Sequence, residues 1–401
     1  MSWILLTIGL IIIPFYELAL QCFPFVAVIA NDTREPKLML SLMIALGVAL
    51  ASIYQGNLKA FKNQGMLVFI AYTLVCIRFS PSIPLFVNEN SASTFWEWKP
   101  VLFILIYSLF IFSVASFDWS QESFRKVLSV MSFVGVAMAG YVFIQKLGLD
   151  QFYYAKTAQQ FTAVTSQSLV GNLGQPTVVG SFLAIILPIT FASRKYFFAA
   201  IVAVALLLIN SKFAILGGAV GSLAYLWMQG KRRCAEIIVL LLIFLVGSAY
   251  ALHLISSVEF NDNGRFSQWS QILNFWRTPL DINGHKLKFC LTGFGPDSYQ
   301  YLFPLAANSK FFHPHNEYIL ALFNFGLIGI GLIAWSMFIF LRGYFLESRS
   351  SMANAFMASF VSCLVCAVGT FIFGLGAHAF YIAVIFGLLN NQSFLRGGQN
   401  V

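Results

Sequence analysis

The hexapeptide Phe312-His313-Pro314-His315-Asn316-Glu317 sets two imidazoles, an amide and a carboxylate side by side, directly before an apolar run. Upstream, Gly264-Arg265 with Trp269 opens the same polar stretch, and Ser211-Lys212 sits at a junction between two apolar runs. These residue types suit group transfer. An imidazole with a pKa near neutrality can take the proton of an attacking hydroxyl or orient its approach. Guanidinium and ammonium groups can meet negative charge developing on a leaving group, and a helix starting at Asn316/Glu317 adds a partial positive end. His315 is the candidate base, with Arg265 and Lys212 as cationic partners. His313, between Phe312 and Pro314, reads first as structural but can share the role, and Asn316 can contact a ligand. Plainer roles stay open: His315 as a helix cap, Arg265 as an anchor to bulk lipid phosphate, Lys212 as a snorkelling side chain. Asp262, Asp281 and Asp297 are scattered and no Asp-x-Asp occurs, so neither a metal site nor a cofactor is expected.

The elements that must hold these groups are apolar helices. The chain is 59% hydrophobic and only 10% charged. Runs long enough to cross a hydrocarbon core of about 30 Å fall at 3–22, 37–54, 66–80, 99–117, 126–145, 178–193, 195–210, 213–229, 236–255, 317–342, 353–374 and 377–394, about twelve transmembrane helices. Met1-Ser2-Trp3 offers no charged n-region, so the first run reads as an anchored helix. The expected fold is an all-α integral membrane protein: a single polytopic domain over 1–401, with residues 257–316 as one long loop between the ninth and tenth helices. Lys59, Lys62, Arg125, Lys126, Arg194, Lys195, Lys231, Arg232, Arg233, Arg342, Arg349 and Arg396 fall on one set of loops. The opposite set carries as many cations over more than twice the length, so the first set faces the cytoplasm and 257–316 lies outside. The net charge of +9 is then explained by orientation and anionic lipid, without nucleic acid.

Within the long loop, Phe266, Trp269, Ile272, Leu273 and Trp276 fall on one face of a helix over 265–276, with Ser267, Gln268, Ser270, Gln271 and Asn274 opposite. Such a helix can lie in the membrane interface or pack on the bundle. His285 reads as solvated, and His378, at an outer turn, can approach the site. Cys363-Leu364-Val365-Cys366 lies inside an apolar run and reads as a pair of packing residues. Gly326, Gly329 and Gly331 read as notches between helices. Gly171 to Pro188 (GNLGQPTVVGSFLAIILP) makes a glycine turn, a polar Gln175-Pro176-Thr177 and a helix start, with Gln175 as a candidate polar contact or cap.

In that order, Gln175-Pro176-Thr177, Ser211-Lys212, Gly264-Arg265…Trp269, Pro279-Leu280…Gly293-Phe294-Gly295 and His315-Asn316…Gly326-Leu327-Ile328-Gly329 resemble the O-antigen ligase and O-antigen polymerase superfamily of multispan membrane glycosyltransferases. The resemblance covers about residues 165–345. Lys212 stands where the family often has arginine, and Gln175 and Thr177 stand where its glycine-rich turn has asparagines. The resemblance implies a C-type glycosyltransferase-like, inverting and metal-independent enzyme of the bacterial inner membrane, with its active site facing the periplasm. The donor would be a glycan on undecaprenyl diphosphate. Catalytic roles fall on His315 and Arg265, and substrate contacts on Lys212, Gln175, Trp269, His313 and Asn316.

The leading acceptor is lipid A–core, which makes the chain an O-antigen ligase of lipopolysaccharide biosynthesis. The alternative is a repeat-unit polymerase. Protein O-oligosaccharide transfer ranks lower, because protein-modifying relatives usually carry a further outer domain and this chain ends at Val401, soon after its last span. A transporter of lipid-linked glycans would need charged or broken helices near the bilayer midplane, and the sequence shows neither, with only Glu17 and His253 appreciably inside spans.

Overall fold

The computed structural model describes residues 2–22, 34–54, 67–74, 94–150, 175–193, 196–231, 265–274, 280–282, 285–287, 291–295, 298–303 and 313–391, apart from a few positions within them, together with 169 and 173. Among the described residues the regular elements are helices and one short hairpin, β1 (Leu280–Ile282) antiparallel to β2 (His285–Leu287). The helices are α1 (Ser2–Cys22), α2 (Arg34–Tyr54), α3 (Thr94–Ser116), α4 (Gln121–Lys146), α5 (Pro176–Ala192), α6 (Tyr196–Ile209) and α7 (Lys212–Met228). They continue with α8 (Arg265–Asn274), α9 (Glu317–Leu346), α10 (Ser351–Cys366) and α11 (Gly376–Leu389). The run expected at 236–255, like Gly264, Trp276 and Pro279, lies outside the described residues.

Side-chain size explains how the bundle closes. α7 runs antiparallel to α10, and a Cβ on Gly217 would stand 2.5 Å from Cys366 Sγ and 3.0 Å from Ser362 O. One turn on, a Cβ on Gly221 would overlap Ser362 Oγ. Small residues on both helices bring the backbones together, which is how helices associate where lipid supplies no hydrophobic drive. Cys363 and Cys366 are buried free thiols in this seam. Outward faces carry Met43, Phe133, Phe197, Leu207 and Phe338, all more than 60% exposed. α4 and α9 are each long and apolar enough to cross a membrane unaided. An apolar belt of this kind belongs in lipid rather than water.

α4 begins a turn earlier than the apolar pattern indicated. The Ser120 side chain caps Ser123 N–H at 3.1 Å, and Glu122 pairs with Lys126 at 2.6 Å on the exposed surface, so charged residues extend the helix into water.

Two expectations fail at the end of the bundle that holds the polar loop. The run expected to continue to residue 374 stops at Cys366, where Ala367 caps α10 and residues 367–370 turn. The run from Glu317 is not one straight span but is broken at Gly326, with φ 66° and ψ −166°. That backbone region belongs almost solely to glycine. The segment 291–295 seals the break. Phe294 N–H donates to Phe323 O at 3.0 Å, Gly295 N–H to Asn324 O at 2.8 Å, and Ile328 N–H to Leu291 O at 3.1 Å. Tyr72 Oη donates to Phe325 O at 2.8 Å. Backbone groups freed by the break are thus paired within the protein, as apolar surroundings demand. Gly326 is therefore a break and not a packing notch, and a Cβ on Gly331 would meet nothing within 4 Å.

The break also bends the helix. The Phe340 and Phe360 rings pack at 5.3 Å, and Glu317 N–H donates to Ala367 O at 2.9 Å. Straight helix from Phe340 back to Glu317 would cover about 35 Å, whereas Phe360 to Ala367 covers about 10 Å. Only a bent α9 satisfies both contacts. Leu327–Leu346 alone is about 30 Å long, enough to span hydrocarbon. The limb from Glu317 to Phe325 is thereby released to carry the site. Gly326→Ala should cost roughly 3 kcal/mol or more, from a strained φ and a Cβ driven into Leu291 O. Thermal unfolding of the purified chain checks this, and a Tm within a degree of wild type would contradict it.

Candidate functional site

α5, α7, α9 and α11 all begin at one end of the bundle. α5 and α7 run parallel, Gly180 lying over Ala214 and Gly218 over Ala184. Ser181 of α5 bonds His378 of α11 at 2.9 Å, and the start of α9 joins the end of α10 through Glu317 and Ala367. The positive ends of several helices gather there, and the candidate residues with them.

Arg265 is the first residue of α8, with Gln268 and Trp269 one turn on and on the same face. Trp269 Nε1 donates to Pro314 O at 2.7 Å, and Gln268 Nε2 donates to His313 O at 3.1 Å. α8 is therefore fastened to the turn that carries both histidines. Gln268 Nε2 also donates to Tyr299 Oη at 2.6 Å, and burial raises the Tyr299 phenol well above its ordinary range. Ile272 is buried with Phe294, Tyr299, Leu302, Phe303 and Phe323. Of the two settings open for α8, the structure has it packed on protein through Ile272. Leu273 remains half exposed.

The turn itself is tight. His315 has φ 51°, a left-handed conformation uncommon outside glycine, asparagine and aspartate. Its N–H donates to His313 Nδ1 at 3.1 Å, which leaves the neutral His313 proton on Nε2. Asn316 Oδ1 accepts from Tyr318 N–H at 3.0 Å and Ile319 N–H at 3.1 Å, capping α9. Asn316 is buried, and with Oδ1 committed to the cap only its Nδ2 is left for a ligand.

Burial, and then the positive charge of Arg265, push the His315 imidazole down to about 4. Burial and His315 push His313 down to about 3. The near-neutral value expected for His315 is not what this arrangement gives: both rings are neutral at pH 7, and Arg265 lies close enough for its charge to be felt. Arg265 Nη1 donates to Gly369 O at 3.1 Å, in the turn after α10. That turn also packs against the start of α7. A Cβ on Gly369 would overlap the Phe213 ring, and Phe213 follows Lys212, the exposed first residue of α7.

Arg265, Trp269, His313, His315 and Asn316 thus form one connected group, and Phe213, next to Lys212 in sequence, packs on the same turn. Gln175 occupies the N-cap position of α5 at this end but makes no side-chain cap there, and no described bond joins it to the group. His378 is wholly buried behind Ser181 and Phe182. His285 lies on β2. Gln268, Tyr299 and Gly369 belong to the structure of the site and are not among the candidate residues of the sequence, which gives Glu317 only as a neighbouring carboxylate and helix start. Gln268 had been placed on the polar face of α8, yet is 3% exposed because Tyr299 and the His313 carbonyl cover it.

Residues 197–335 match the family described as O-antigen ligase. The matched stretch covers about a third of the chain. It takes in Lys212, Arg265, Trp269, both histidines of the turn and the break at Gly326. The ligase family is membrane-embedded and glycosyltransferase-like, and it works on lipid-linked glycans and acceptors. No curated protein matches the chain. The 367–373 turn and Gln175 lie outside the ligase-family segment, although the turn bonds directly to Arg265 within it.

Proposed function

We propose that the chain transfers a glycan from undecaprenyl diphosphate to a hydroxyl of lipid A–core at the periplasmic face of the inner membrane, as an inverting, metal-independent O-antigen ligase. The observation that carries this reading is the fastening of α8 to the histidine turn, which holds Arg265 within electrostatic reach of His315 inside the ligase-family segment. The acceptor oxygen attacks the anomeric carbon and the bond from that carbon to the diphosphate oxygen breaks. The hydroxyl proton passes to His315. The departing diphosphate takes the bonding electrons and is met by Arg265, with Lys212 beside it. Trp269, His313, Asn316 and Gln175 are the proposed substrate contacts. The loop 257–316 then acts as the catalytic loop of a single membrane domain.

The test is reconstitution of the full chain with an undecaprenyl-diphosphate-linked glycan and, in turn, lipid A–core, a second lipid-linked repeat unit and a protein acceptor. Glycosylated lipid A–core is the expected product. Elongated lipid-linked glycan alone would make the chain a polymerase, and glycosylated protein alone a protein oligosaccharyltransferase. Movement of the donor across the bilayer without any transfer would make it a transporter.

A further inference from the structure

Glu317 follows the histidine turn directly and has no part in the reaction just described, yet it is 8% exposed. A carboxylate this buried needs strong partners. Its partners are backbone amides of the turn after α10: Oε1 accepts from Phe373 N–H at 2.8 Å, and the carboxylate also takes a hydrogen bond from the Ile372 amide. The Glu317 N–H meanwhile donates to Ala367 O. One residue therefore grips both ends of the 367–373 segment. Midway along that segment, Gly369 O accepts from Arg265 Nη1.

We infer that Glu317 is a positioning residue: it holds the 367–373 turn and, through Gly369 O, aims the Arg265 guanidinium relative to His315. This rests on the proposed role of Arg265 as the diphosphate partner. Trp269 and Gln268 fasten α8 to the histidine turn without involving Glu317, so the helix stays in place when the carboxylate is removed. What is lost is the fixed acceptor for one guanidinium nitrogen. The other N–H donors of that rigid fork then no longer share a set direction. A carboxylate serves here because it accepts two neighbouring amides. Glutamine of the same size accepts one and turns an N–H₂ toward the other.

The test uses the full chain in detergent or nanodiscs, with undecaprenyl diphosphate as binding probe and a lipid-linked glycan as donor. Glu317→Ala should weaken undecaprenyl diphosphate binding and raise the donor KM about tenfold, the worth of one charge-assisted hydrogen bond. Glu317→Gln should fall between Ala and wild type, and it carries the test if the alanine protein does not fold. On an Arg265→Ala background, Glu317→Ala should change binding less than about twofold, because coupled residues are not additive. The inference is overturned if the two losses multiply, or if only the yield of folded protein drops while binding and donor KM stay at wild type. Failure of the underlying reading looks different: Arg265→Ala alone would leave undecaprenyl diphosphate binding unchanged.

Discussion

His315→Ala should slow glycan transfer by about 10²–10⁴-fold, the range for loss of a positioned acid–base group, in a chain that still folds and still binds its lipid-linked donor. The turn argues for the second half of that expectation. It is held by Trp269 on Pro314, by Gln268 on the His313 carbonyl and by the Asn316 cap, none of which uses the His315 ring. The ring's acidity argues for a pH signature. Burial and Arg265 together bring it to about 4 in the free protein, so it is neutral at pH 7 but a weak base. A diphosphate docked on Arg265 cancels the second of those causes, and its own charge favours the imidazolium. Basicity should therefore rise when the donor binds. The acid limb of kcat/KM, which reports the free enzyme, should lie near pH 4, and that of kcat, which reports the complex, should lie higher. Arg265→Ala should move the kcat/KM limb upward toward the ordinary histidine value of about 6.5. Full activity in His315→Ala, or a kcat limb below that of kcat/KM, would remove His315 from the chemistry.

How much of this was legible in the sequence varied with the range of the cause. Apolar runs follow from local composition, so the described helices fall near their expected positions, with α4 longer because its capping serine and ion pair are polar. Non-local causes left no trace. The apolar pattern runs unbroken through Gly326, whose conformation depends on Gly293 and Leu291 arriving from the loop. The end of α10 looks like continuing apolar chain until Phe213 is placed against Gly369. Within the site, the residue types at 265 and 313–316 pointed to transfer chemistry, and the order of motifs pointed to the family. The part Glu317 plays, and Gly369 altogether, could not be found that way. A carboxylate at a helix start reads as a favourable dipole partner, and one carbonyl among many has no signature until a guanidinium donates to it.

Arg265→Ala should lower kcat/KM for the lipid-linked donor by about 10²–10³-fold, on the scale of removing one donor to a developing charge. Arg265→Lys should recover only part of that loss. Its place in the structure makes the difference meaningful. Arg265 opens α8, where the first-turn N–H groups lack partners within the helix, so an anion held there gains the helix end as well as the side chain. One guanidinium nitrogen is anchored on Gly369 O at 3.1 Å, and the planar group can then offer two parallel N–H bonds to adjacent phosphate oxygens. A lysine keeps the charge but supplies neither the anchor nor the parallel pair. Lys212, exposed at the start of α7, is proposed as such a point charge, and Lys212→Ala should cost less than Arg265→Ala. Steady-state kinetics against donor concentration separate these cases. If Arg265→Lys restores wild-type kcat/KM, a cation alone suffices at this position. The anchored fork, and with it the reason for the Gly369 contact, would then have no catalytic meaning.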